Sequence, residues 1–427
     1  MLNLHTIKFP NLSRIQWFLI VLACLYFVKV YNTDVGDFRS YYHAGTKLRA
    51  GVSPYFFYVP EEGWVSMFSY PPFFALLMLP FTVLPIELSS LIWNGLSLAA
   101  LFRVYRLIIG TLEIKKHLNS TQYRFFVFLT IVLTIRFFLY NFDLTQSTLI
   151  VMWGTLEGLK LIKNDKFILG SLLLAVVISI KLLPLVILPY LIYRAYFKET
   201  FLTIFFILVL NSLPIFVYGK DGFLQILDEW WRIVNPTNME FTLKQNSGDE
   251  STHGLSAFVP AFFSDFIVRY GLRRHFIALN SNQIIGLLLG FRLFFIALTL
   301  YFLQSKPFKK AVSAYQFMWE VSYLLMVIPL LFPQQMKYAF ALLLPAFSYI
   351  VFYIMSMKRG MKFRLLIGLM TLVFILTTVS TDGIVGKQFY QYGQYYKLIT
   401  WGTFVLIFIL AICPPIELEK PFNSSKI

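Results

Sequence analysis

Charge is scarce in this chain, and negative charge scarcest: 14% of its 427 residues are charged, with 21 acidic against 37 basic. Soluble domains carry about 25% charged residues, so an ordinary water-soluble fold is excluded. Cysteine is rarer still. Cys24 and Cys413 both lie in apolar stretches, which excludes a disulfide framework. Also missing are a glycine-rich nucleotide loop, a His/Cys/Asp cluster at metal-ligand spacing, an internal repeat, an appended soluble domain and a low-complexity tail. No small-residue cleavage site follows the first apolar stretch, which therefore reads as an uncleaved helix.

What is present is apolar. Hydrophobic residues make up 58% of the chain and aromatic residues 19%. Runs such as "FLTIFFILVLNSLPIFVY" and "MKFRLLIGLMTLVFILTTVS" hold about enough apolar residues to cross roughly 30 Å of hydrocarbon. The sequence predicts an all-α polytopic membrane protein forming a single integral domain over 1–427. Helices are expected at about 16–32, 88–109, 125–140, 147–162, 167–181, 183–196, 200–218, 284–303, 313–332, 338–357, 363–380 and 398–413, twelve crossings in all.

Charge assigns the sides. If the N-terminus is cytoplasmic, segments 1–15, 103–124, 160–166, 194–199, 304–312, 358–364 and 414–427 hold 21 basic against 5 acidic residues. The opposite side, with loops 33–87, 219–283 and 381–397, holds 12 against 14. That asymmetry is the positive-inside pattern, and it accounts for the net charge of +16 without nucleic acid. "YPPFFALLMLPFTVLP", 70–85, is apolar, but counting it as a crossing would invert every later loop. With prolines at 71, 72, 80 and 85 it reads as a re-entrant or interfacial element on the outer side.

The unusual polar residues then gather outside. Asp34, Asp37, Arg39 and His43 open the first outer loop; Asp143 and Gln146 occupy the turn after the third helix. Lys181 ends the fifth helix, Gln334, Gln335 and Lys337 form a late turn, Glu250 and His253 sit in the long loop, and Asp382 caps another. Charge at membrane depth costs about 2.5–3.5 kcal/mol at a helix centre, so it marks function or snorkels to the interface. The plain readings are snorkelling for Lys181, Lys337 and Arg136, solvated loop positions for Asp34 and His43, and interfacial anchoring for Trp230 and Trp231.

"DFRSYYHAGTKLRAGVSPY" followed by "FSYPPFFALLMLPFTVLP" resembles the amino-terminal signature of glycosyltransferase family 87, a group of C-type, polyprenyl-phosphate-sugar-dependent enzymes. "LTQSTLIVMWGTLEGLKLIKNDKFILGSLLLAVVISIKLLPLVILPYLIYR" and "FPQQMKYAFALLLPA" are similar to its later segments. Two departures stand out. "DESTHGL", 249–255, replaces an "NQS-x-x-G" motif, with Asp249 and Glu250 in place of amides, and Lys337 stands where the family often has histidine.

The resemblance implies transfer of a hexose, mannose by default, from polyprenyl phosphate to a hydroxyl acceptor on the extracytoplasmic face, with inversion. The acceptor would be a glycolipid or glycan and the setting a cell inner membrane with both termini cytoplasmic. A departing phosphate needs cationic stabilisation, for which Lys181, Lys337 and Arg39 are the candidates. The acceptor hydroxyl needs a base; motif position and place at the bilayer edge select Asp37. Asp34, Tyr41, Tyr42, His43, Gln146, Glu250 and His253 are candidate substrate-binding residues, with Tyr55 and Phe68 able to stack on sugars or anchor the loop. No cofactor is expected; Asp34 with Asp37 could hold a divalent ion. The competing classes are a transporter or lipid flippase, which would call for repeats and mid-membrane charges, and an oligosaccharide ligase or polymerase using lipid-pyrophosphate-linked glycans.

Overall fold

Proline and asparagine set many of the helix starts. Asn119 and Asn280 each close a reciprocal capping box with the glutamine three residues on, and Pro71 and Pro85 precede helices whose first amides need no partner. The computed structural model describes residues 24, 25, 28, 35–55, 57–59, 64–66, 68–235, 250–265, 272–304, 307–309 and 313–418. Most of the expected first helix, 16–32, and Asp34 lie outside the described residues.

The first element with both ends described is α1 (Phe38–Arg49), followed by a short antiparallel hairpin of β1 (Phe57–Val59) and β2 (Trp64–Ser66) that the sequence reading did not include. Next come α2 (Pro72–Leu77), a 3-10 turn (Leu79–Val83), α3 (Ile86–Thr111) and α4 (Ile114–His117). The middle of the chain holds α5 (Ser120–Asp143), α6 (Thr148–Lys163), α7 (Phe167–Ile180), a 3-10 turn (Leu183–Val186), α8 (Ile187–Tyr193), α9 (Phe197–Ser212) and α10 (Ile215–Val234). It ends with α11 (Leu255–Phe263), α12 (Ser281–Leu303), α13 (Ala314–Leu331), a 3-10 stretch (Lys337–Leu343), α14 (Leu344–Ser356), α15 (Met361–Phe374), a π-helical turn (Ile375–Val379), α16 (Asp382–Tyr395) and α17 (Leu398–Ala411).

The twelve expected crossings are supported in part. Among the described residues six helices are long and apolar enough to cross a bilayer, or eight if each of two bent pairs counts as one span. The other segments are shortened by breaks. Lys181 ends α7 in an extended conformation, and Pro184 opens a 3-10 turn where 183–196 was expected as one helix. The expected helix 200–218 stops at Ser212 and turns by 94° at Pro214 into α10. The 70–85 element is a short helix and a 3-10 turn, twelve residues from Pro72 to Val83; at about 1.5 Å per residue it falls short of a bilayer.

The core sits around α13, the 3-10 stretch and α14, whose faces are nearly all buried, while α12 and α15 leave most of their apolar surface outward. One packing contact positions the site. A Cβ on Gly154 would meet Val177 at 2.2 Å, and one on Gly170 would meet the Gly158 carbonyl at 2.8 Å. Only bare backbone lets α6 and α7 lie this close, as small residues do between membrane helices. The hairpin therefore returns Lys181 beside Thr148, where α6 began.

Contacts fall into two ends that match the charge partition. At one end His117 meets Tyr315 at 2.9 Å, Phe308 N–H donates to Tyr193 O at 2.7 Å, and Lys362 pairs with Glu417 at 2.8 Å. At the other, Asp37 N–H donates to Leu144 O at 3.0 Å, Asn141 to Tyr338 O at 2.8 Å, and Lys397 to Thr252 O at 2.8 Å.

A fully buried ion pair, absent from the sequence reading, fastens the first end. Arg194 binds Glu320, which also accepts from Tyr190 at 3.1 Å and Gln316 at 2.9 Å; the guanidinium further donates to Leu303 O and Lys309 O. Removing one partner leaves a buried charge, at a cost of about 3–5 kcal/mol. Glu320→Leu should therefore markedly lower the thermal unfolding temperature of purified protein in detergent; an unchanged melt would show that the pair is dispensable.

Candidate active site

Asp37 lies at the start of α1, half-buried, and the residue before it explains how it gets there. Gly36 has φ +57°, and a Cβ would meet the Leu144 backbone at 2.6 Å. Glycine alone combines that conformation with that approach. The loop is thereby pressed against the turn after α5, itself pinned from α3: Asn94 donates to Phe142 O and to Thr145 Oγ1, both at 3.2 Å. Thr145 takes the left-handed conformation, and Gln146 N–H returns to Asn141 O at 2.9 Å. These contacts turn the Gln146 side chain inward, where it is 1% exposed.

Gln146 joins the two residues that chemistry singled out. Its amide nitrogen donates to the Asp37 carboxylate, and its oxygen accepts from Lys181 Nζ at 3.2 Å and from Tyr41 OH at 3.0 Å. Asp37 and Lys181 thus stand on opposite sides of one amide. Lys181 is 7% exposed, so it does not snorkel. It faces the Tyr338 ring at 4.6 Å and the Tyr70 ring at 5.8 Å. Tyr41 and Tyr70 share a hydroxyl contact of 3.1 Å. Burial raises both phenols first, then for Tyr41 the neighbouring Tyr70 and Asp37, and for Tyr70 the Asp37 charge. Both therefore remain protonated hydrogen-bond donors.

A second group of cations lies across a pair of tyrosines. Tyr140 stacks on Tyr338 with centroids 6.4 Å apart and planes 10° from parallel. Lys181 faces Tyr338; Lys337 faces Tyr140 at 4.4 Å. Lys337 also donates to Tyr390 OH, and the Arg136 guanidinium sits over the same Tyr390 ring at 5.9 Å. Arg136 corrects the sequence reading: it is 8% exposed and donates to Thr377 O at 2.7 Å and Ser380 Oγ at 2.8 Å, inside the bundle instead of snorkelling. Thr377 belongs to the π-helical turn after α15, a geometry that recurs at functional sites.

Of the other candidates, Glu250 and His253 belong to this second group. Lys397 holds their loop by donating to Glu250 O at 3.2 Å and Thr252 O at 2.8 Å; His253 N–H donates to Gln335 O at 2.8 Å. His253 is wholly buried, and both ring nitrogens lack a hydrogen-bond partner. Tyr42 turns away to donate to Leu84 O at 2.9 Å; His43 packs its half-buried ring near Tyr42, and Arg39 is half-buried in α1's first turn. Tyr55 donates to Tyr70 O at 3.0 Å, and its ring lies 5.6 Å from buried Phe68. Trp230 packs inward while Trp231 stays half exposed. Sequence reasoning did not name Asn94, Asn141, Tyr390 or Lys397 as site residues; for the two asparagines the signal was an amide within an apolar helix.

Residues 68–264, under half of the chain, match the family model Glycosyltransferase family 87, which supports membership of the chain in that family. The family points to a membrane glycosyltransferase. No curated protein and no solved structure matches the chain.

Two outcomes test this geometry. Gly36→Ala should leave the protein folded while displacing Asp37 and removing most transferase activity; full activity would mean that the Leu144 contact does not place the carboxylate. His253 bears on acid stability. Burial, then Lys397, Arg136 and Lys337, hold its imidazole well below the ordinary 6.5. Above about pH 6.5 folded and unfolded chains both carry it neutral; below, only the unfolded chain takes the proton, so stability falls with pH. In detergent the His253→Gln protein should lose less melting temperature between pH 7.5 and 5.5 than wild type; identical slopes would refute this.

Proposed function

We propose that the chain transfers a hexose, mannose by family default, from a polyprenyl-phosphate donor to the hydroxyl of a glycolipid or glycan, with Asp37 as general base. The observation that carries this reading is the Gln146 amide, which holds a carboxylate and an ammonium side by side at one end of an apolar helical bundle. The polyprenyl tail stays in hydrocarbon while its phosphate rides at headgroup level, so the reacting carbon meets residues at helix ends. The acceptor oxygen attacks that carbon as its proton passes to Asp37, and the carbon–oxygen bond to phosphate breaks on the opposite face. One displacement inverts the centre and releases polyprenyl phosphate. Tyr70, half-buried and protonated beside Tyr41, would hydrogen-bond sugar hydroxyls.

In this reading the site end faces the extracytoplasmic side of the inner membrane, and the end carrying the Arg194–Glu320 pair, with both termini, faces the cytoplasm. Helices α6 and α7 each run between residues of the two ends, and in this reading they count as crossings beside the six longer helices. The 72–83 element then lies at the outer surface.

Asp37→Asn keeps size and hydrogen bonding but cannot take a proton. It should express and melt like wild type while transfer from labelled polyprenyl-phosphate mannose falls by roughly 10²–10⁴-fold. Retention of activity would remove Asp37 as the base; vesicle uptake of the lipid or sugar without a new glycosidic bond would favour a transporter.

A further inference from the structure

The two cationic groups differ in what balances them. Lys181 is coupled through Gln146 to the Asp37 carboxylate, whose charge also acts on it. Arg136 and Lys337 are held only by neutral groups: the Thr377 carbonyl, the Ser380 hydroxyl, the Tyr390 hydroxyl and the faces of Tyr140 and Tyr390. Neither makes an ion pair among the described residues. Asp382 acts on both cations and Asp143 on Lys337, each from beyond ion-pair distance, and both acids are solvent-exposed. Two buried cations sharing one ring repel each other, and such charge is tolerated where an anion completes the site. His253 adds a second observation. It is enclosed near Lys397, Arg136 and Lys337 with both ring nitrogens unsatisfied, and a buried polar group without a partner costs about 1–3 kcal/mol.

We propose that Arg136 and Lys337 together form the seat of the donor's phosphate, with His253 behind them as a neutral hydrogen-bond donor, and that Lys181 serves the Asp37–Gln146 relay instead. This rests on the lipid-phosphate reading above and divides its cations by role. A polyprenyl-phosphate sugar is a phosphodiester with one negative charge; its departing phosphate gains a second as the bond to the sugar breaks. Arg136 offers a planar fork of donors and Lys337 a point charge, two cations for the two charges of the product. The stacked Tyr140–Tyr338 pair lies between this seat and Lys181, so the phosphate would sit across that pair from the Asp37–Gln146 relay.

The test uses full-length protein purified in detergent, with farnesyl phosphate as probe and farnesol as its uncharged control, titrated by calorimetry. Wild type should bind farnesyl phosphate well above farnesol. Arg136→Gln and Lys337→Met should each weaken that binding by about tenfold or more, and Arg136→Lys should recover part of it. Lys181→Met should leave phosphate binding within about threefold while transfer falls, because its partner is Asp37. Unchanged binding in Arg136→Gln and Lys337→Met, or a larger loss in Lys181→Met, would overturn the division of roles and leave the glycosyltransferase reading standing. Wild-type protein that binds farnesyl phosphate no better than farnesol would overturn both. A melt of each variant shows that it is folded; should Arg136→Gln not fold, Lys337→Met decides.

Discussion

A single amide side chain organises the candidate site. Gln146 has one donor group and one acceptor group, and the structure uses both: the nitrogen for the Asp37 carboxylate, the oxygen for Lys181 and Tyr41. A carboxylate and an ammonium placed in direct contact would form an ion pair and neutralise each other's chemistry. Separated by a neutral amide they remain within each other's field without direct contact. Much of the surrounding architecture bears on this arrangement. Gly36 brings the aspartate in, Asn94 and Thr145 shape the turn that carries the glutamine, and the bare α6–α7 contact returns the lysine to the same spot.

The opposite end follows a different rule. There the buried Arg194–Glu320 pair is saturated by Tyr190, Gln316 and two carbonyls, so its charges are spent on structure. Near the candidate site the cations are met by aromatic faces and hydroxyls, which stabilise charge without cancelling it. Saturated charge at one end and unsaturated charge at the other is what separates a fastening from a site in this molecule.

The sequence announced a good part of this. Clustered lysines and arginines sorted the loops into two groups, and the two ends of the structure join loops within those groups. Asp37, Gln146 and Lys181 stood out because ionisable and amide residues are costly beside apolar segments, and they do converge. Other features were illegible for physical reasons. Arg136 looked like a residue reaching for the interface because its acceptors, Thr377 O and Ser380 Oγ, lie some 240 positions away, in and just after a π-helical turn. Apolar runs alone do not fix the number of crossings, because they record burial, whether in lipid or in protein. Around Lys181 and Pro184 the chain breaks into pieces that the neighbouring helices shield. His253 gave no sign of its enclosure, since a loop histidine looks the same in sequence whether solvated or sealed in.

The glycine contact between α6 and α7 carries a consequence for how the protein can be altered. Gly154, Gly158 and Gly170 set the register of the two helices along their length, so the turn at 164–166 is not what aligns Thr148 with Lys181. That turn is exposed and sits at the end remote from the aspartate. It is a natural place to splice in an epitope or a fluorescent reporter, because slack introduced there dissipates before reaching the hairpin's other extremity.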